Sequence, residues 1–139
     1  MIDGKLYSGP NTGAGEIGSI PYLDRDYEYY CSSRFFVGRG TSGKEAFERA
    51  AAGDPGALAL WREFGGHIGQ LVMLALYAYD PEAIVFGGSI SQAFDFFREA
   101  MYERLAEFPY ARTVETAEDR LFEDRECRIA GRIGLRITY

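Results

Sequence analysis

The chain has 139 residues, 47% hydrophobic and 15% aromatic, enough for one domain with a real core and too apolar for a disordered or fibrous protein. Fifteen Lys and Arg against 21 Asp and Glu leave a net charge of −6, and the arginines near the end are scattered, which argues against a nucleic-acid or anionic-membrane partner. Cys31 and Cys127 stand far apart with a single histidine, so the expectation is a reduced, cytoplasmic protein without a metal framework or leader pattern.

In chain order, the Asp3-Gly4 pair between apolar residues reads as a tight hairpin turn. A Gly-rich loop follows, and residues 24–36, rich in Tyr and Phe, read as a helix. After a second Gly-rich turn, residues 44–52 form a short helix ended by Gly53. Asp54-Pro55 then supplies a cap with proline at the first helical position. The long helix that follows turns Trp61, Phe64, Ile68, Leu71 and Ala75 inward at spacings of three and four, and stops before Asp80-Pro81. Its apolar stretch, residues 68–79, is interrupted by Gly69 and Gln70 and is too short to span a bilayer. Residues 83–88, AIVFGG, read as a buried strand ending in two glycines. Ser91 is then placed to cap a helix with the stripe Phe94, Phe97, Met101, Leu105 and Phe108, closed by Pro109. Residues 113–116 read as a short strand, and 121–139 are ambiguous. No repeat or linker divides the chain, so residues 1–139 are expected to form a single domain.

The loop NTGAGEIGSIPY contains Gly13, Gly15 and Gly18 in the spacing of a dinucleotide-binding fingerprint. That fingerprint needs a strand running in and a helix opening out. Here the approach is Ser8-Gly9-Pro10-Asn11-Thr12, and Pro21 stands where the helix should run. On the residues alone, two readings stand. The segment is a turn with a solvated Glu16, or a loop whose backbone lets a ligand approach Glu16 closely. Likewise, Gly87 and Gly88 either end a strand or line a site. His67, inside the long helix, reads as a packed or surface histidine, and Cys31 as a small buried apolar residue.

The combination of DGKLYSG, GAGEIG, GDPGAL and YDPEAIVFGGSIS resembles the C-terminal half of the ROK family, the sugar kinases and sugar-responsive repressors. The resemblance implies an α/β fold, the C-terminal lobe of an actin-like, ribonuclease-H-like ATPase, with a mixed sheet and packed helices. It also implies that Glu16 is a sugar ligand of the A-G-E-x-G-H loop and that Glu28, in YEYYCSS, takes the place of a second sugar-binding glutamate. Ser19 stands where the family has a histidine that serves sugar and zinc, and the cysteine run is replaced by the short YLDRD, so no zinc is expected. VFGGSIS matches the segment that passes the adenosine of ATP, which makes Gly87, Gly88 and Ser89 candidate nucleotide contacts.

The family's D-x-G-G-T loop, catalytic Asp and G-T-G loop lie upstream of the matched segment. The expectation is therefore a sugar-binding lobe that does not phosphorylate alone and binds a hexose or N-acetylhexosamine weakly. It would use ATP and Mg only if an N-terminal half is supplied. The alternatives are a non-enzymatic sugar-sensing regulator and a remnant without ligand. A homo-oligomer or a separate N-terminal half is expected as partner, with an apolar surface near Tyr29 and Phe35 left to cover. At the C-terminus, Arg128, Arg132 and Arg136 are spaced by four, which would put them on one helical face, solvated or paired with acids.

Overall fold

The computed structural model describes residues 5, 7–81, 83–110, 121–123 and 134–137, with backbone only at 83, 121–123 and 134–137. The elements are a small antiparallel hairpin of β1 (Pro21–Tyr22) and β2 (Arg25–Asp26), helices α1 (Tyr27–Tyr30), α2 (Ser33–Val37), α3 (Gly43–Ala51) and α4 (Pro55–Tyr79), then β3 (Ala83–Phe86), α5 (Phe94–Leu105), β4 (Leu121–Glu123) and β5 (Gly134–Ile137). β3 is the centre of a three-stranded sheet with β4 on one side and β5 on the other, both parallel to it.

α4 organises the molecule. Asp54 caps it, its carboxylate accepting the Ala57 amide at 2.7 Å, Pro55 opens the first turn, and Asp80 ends it in a left-handed conformation at φ 37°. Trp61, Phe64, Ile68, Leu71 and Ala75 are all buried, as their spacing predicts. α5 crosses it where two glycines bring the backbones together. A Cβ on Gly65 would lie 2.3 Å from the Phe97 carbonyl oxygen, and one on Gly69 would lie 2.8 Å from that of Met101. On the other flank, Phe35 and Phe36 of α2 meet Phe64 and Trp61 at ring-centroid distances of 5.4 and 4.5 Å, and Phe86 of β3 packs against Phe94 and Phe97. The core is therefore an aromatic stack laid along one helix.

Four expectations need correction. The helix over residues 24–36 is a strand and two short helices. Asp26 caps α1 by accepting the Tyr29 amide at 2.7 Å, and Ser32 caps α2 by accepting the Arg34 amide at 3.2 Å, so a new start replaces continuation. Ser91 does not cap α5. Its hydroxyl donates back to the Gly88 carbonyl at 2.8 Å, and a 3-10 turn, Ser89–Ala93, intervenes. Phe35 contributes nothing to an apolar surface, being fully buried, while Tyr29 is half-buried. Arg136 lies in β5, so the three arginines do not share a helical face; Arg128 and Arg132, like the Asp3-Gly4 turn and residues 113–116, lie outside the described residues. Among the described residues no helix is long and apolar enough to cross a membrane.

Candidate functional site

The Gly-rich loop folds on its own backbone. The Ala14 amide donates to the Ser8 carbonyl at 3.1 Å and the Thr12 amide to Gly9 at 3.4 Å. Gly15 has φ +92°, a conformation closed to most side chains, and nothing lies within 4 Å of where its Cβ would stand. The chain passes this open point and enters a 3-10 turn, Ile17–Ser19, with Glu16 as its cap residue. The Glu16 carbonyl accepts the Ser19 amide at 3.2 Å, but its carboxylate makes no capping bond, and both side chains are exposed.

From there the chain makes the β1–β2 hairpin, with Leu23 at its tip at φ 55°. The hairpin returns it to the end of the loop, where the Tyr27 amide donates to the Ile20 carbonyl at 3.2 Å. α1 starts at that bond and packs against the 3-10 turn, with Glu28 exposed in its first turn and 3.5 Å from the Arg34 guanidinium. The structure thus joins the segments carrying Glu16, Ser19 and Glu28 through a hairpin of four paired residues.

The hairpin is fastened to α4 by a residue to which the sequence assigned no site role. Tyr22 stacks on Tyr27 at 4.3 Å between ring centroids, and its hydroxyl lies 3.1 Å from Nδ1 of His67. His67 is packed among the rings of Tyr22, Tyr30 and Phe35, which agrees with its reading as a packed histidine. Its Nε2 is buried without a hydrogen-bond partner, 3.8 Å from a Glu63 carboxylate oxygen. Glu63 in turn pairs with Arg39, whose guanidinium lies over the Phe35 ring at 3.6 Å. Burial pulls the His67 pKa below its ordinary 6.5, against the pull of Glu63. No local signal marks this tie, because Tyr22 and His67 are 45 residues apart.

The residues near the hairpin do not fit the zinc that the family resemblance would imply. Cys31 is a free thiol at 0% exposure, burial pushes its pKa well above the usual thiol range, and Ser19 offers only an exposed hydroxyl. Among the described residues no group of three His, Cys, Asp or Glu stands close enough to hold a metal.

The glycine pair is a separate feature. Gly87 is buried directly after β3, and Gly88, at φ +79°, turns the chain into the 3-10 segment. The Gly88 carbonyl is occupied by the Ser91 hydroxyl and, at 3.3 Å, by the Ser91 amide; Ser89 is exposed. The turn sits at the carboxyl end of the central parallel strand, the edge at which open α/β sheets take ligands.

Comparison with known proteins gives a consistent picture. The model of the ROK family matches residues 1–134. The fold is similar to a crystal structure of a candidate sugar kinase from Cytophaga hutchinsonii, with a TM-score of 0.74 and 24% identity over 84% of this chain and 46% of that one. It is also similar to a ROK family protein from Streptococcus pneumoniae in complex with sucrose, with a TM-score of 0.62 and 22% identity over 97% of this chain and 46% of that one. No curated protein matches. The chain thus spans about half the length of these solved structures. With its helix-rich α/β architecture and parallel sheet, it has the fold of a lobe of the actin-like sugar kinases and belongs to the ROK family.

Proposed function

We propose that this chain forms the sugar-binding wall of a ROK-type sugar kinase site. Glu16 and Glu28 would accept hydrogen bonds from the hydroxyls of a hexose or N-acetylhexosamine, and Ser19 would add a neutral contact where the family places histidine. Gly87, Gly88 and Ser89 would flank the adenosine of ATP, the φ of Gly88 allowing the backbone to approach a base or ribose closely. The observation that carries this reading is the family match across residues 1–134, in which the two glutamate-bearing segments are joined by a hairpin and both carboxylates are exposed.

Residues 1–139 contain neither a D-x-G-G-T nor a G-T-G segment. In-line phosphoryl transfer needs clamps on the γ-phosphoryl and a base on the sugar hydroxyl, so these residues support binding and leave catalysis to groups outside them. Calorimetry with glucose, N-acetylglucosamine and N-acetylmannosamine tests this. Binding should be weaker than micromolar. It should fall by about tenfold or more in Glu16→Ala, the equivalent of a charge-assisted hydrogen bond of about 1.5–3 kcal/mol. Tight hexose binding that survives Glu16→Ala would overturn the reading.

A further inference from the structure

The β1–β2 hairpin is too short to hold its own shape. It has two residues in each strand, and a two-stranded hairpin in water is marginal even when longer. Nevertheless it sets the position of both proposed sugar-binding segments, one entering it and one leaving it. Asp24 and Asp26 bond it to α1, accepting from the Tyr30 hydroxyl and the Tyr29 amide, and its side-chain hydrogen bond to α4 runs from Tyr22 to His67. We propose that His67 is the positioning residue of this site: in its neutral form it fixes the hairpin through Tyr22, and with the hairpin the spacing of the segments that carry Glu16 and Glu28. This rests on the sugar-binding reading above.

The direction of the bond follows from what faces the ring. If Nε2 were the unprotonated nitrogen, its lone pair would point toward the Glu63 carboxylate 3.8 Å away, in a buried place with no donor. Nε2 therefore carries the proton, and Nδ1 accepts from the Tyr22 hydroxyl. Protonation of His67 reverses this bond. Nδ1 becomes a donor, and the Tyr22 hydroxyl, which can no longer donate to it, must turn its proton toward another acceptor. The charged and titratable groups around the ring are Tyr22 from β1, Tyr30 from α1, Arg39 after α2, Glu63 on α4 and Arg104 on α5. Glu63 favours the cation, and the two arginines oppose it. Glu63 is shared with Arg39, so it offsets the buried charge only in part. The neutral tie thus holds the hairpin in neutral solution, whereas the reversed bond carries a charge into a buried place, and that cost favours a hairpin moved off the ring on acidification.

His67 is the sole histidine of the chain, so its imidazole gives one assignable NMR signal. The test follows that signal with amide protection over residues 16–28 and N-acetylglucosamine affinity, between about pH 8 and pH 5, in wild type, Tyr22→Phe, His67→Asn and His67→Leu. In wild type, protection and affinity should fall together as the imidazole titrates, affinity by about 2- to 10-fold. His67→Asn, which can place an acceptor near Nδ1 but cannot titrate, should keep both at all pH values. Tyr22→Phe, which leaves the ring packing, should show the slack state throughout, as should His67→Leu if it folds. Protection that stays constant while the imidazole titrates, or Tyr22→Phe behaving as wild type, would overturn the proposal. Wild type that binds no N-acetylglucosamine at any pH would instead overturn the sugar reading and the affinity half of this one, with amide protection still deciding whether His67 holds the hairpin.

Discussion

Replacing Gly65 by alanine should destabilise the protein, and replacing the adjacent Gly66 should not. A Cβ at Gly65 would meet the Phe97 carbonyl oxygen at 2.3 Å and the Ala100 Cβ at 3.1 Å, whereas ordinary contact begins at 3.4 Å. α4 and α5 must therefore separate by roughly 1 Å at their closest point. That gap runs through the packing of Phe64, Ile68, Phe97 and Met101, all at most 1% exposed, and a gap of 0.5–1 Å forfeits about a quarter to a half of each dispersion contact. Overpacking of this kind costs about 1–3 kcal/mol, and the better helix propensity of alanine returns up to about 1. An overlap of about 1 Å with backbone places the cost in the upper part of that range, about 2–3 kcal/mol, so the net loss expected for Gly65→Ala is about 1–2 kcal/mol. A Cβ at Gly66 meets nothing within 4 Å, so Gly66→Ala keeps only the propensity gain, up to about 1 kcal/mol. Urea denaturation followed by circular dichroism reads both as shifts in midpoint of opposite sign. Equal stability of Gly65→Ala and wild type, or destabilisation by both variants, would refute the close crossing.

Two further predictions concern the hairpin. Leu23 holds φ 55° at 69% exposure, a left-handed conformation that costs an ordinary residue about 1–2 kcal/mol, so Leu23→Asn should raise stability by up to about 1 kcal/mol while losing little burial. A drop in the urea midpoint would show that the leucine is held there by packing. The lowered pKa of His67 also fixes the sign of a pH dependence, because between the folded value and 6.5 the unfolded chain binds the extra proton. Its contribution to stability is complete above pH 6.5 and is lost as pH falls from 6.5 toward the folded value. Denaturation at pH 7.5 and 5.5 should show this loss in wild type and a smaller one in His67→Asn; equal losses would remove His67 as its cause.

Much of the scaffold was legible because its signals are local. Asp54-Pro55, Asp80-Pro81 and the run from Trp61 to Ala75 mark α4 within its own sequence, and AIVFGG marks β3 within six residues. The segment 24–36, expected as one helix, carries caps of its own in Asp26 and Ser32, and its dense aromatic run suits a helix face as well as two short turns. β4 and β5 were not legible. They have three and four residues, and what makes them strands is pairing with β3, some 35 to 55 positions earlier. The loop around Glu16 could be recognised by its residues. The Tyr22 and His67 tie could not, since it depends on where α4 passes the hairpin.

The central claim is that a sugar is held between the loop at Glu16 and the start of α1 at Glu28. It is tested most directly by titrating the uniformly 15N-labelled protein with N-acetylglucosamine to about 10 mM, high enough to populate a weak site, and mapping the amide shifts. The account predicts saturable shifts concentrated at residues 13–19 and at Glu28, and their disappearance in Glu16→Ala. Shifts confined to residues outside these two segments, or shifts at the loop that persist in Glu16→Ala, would contradict it.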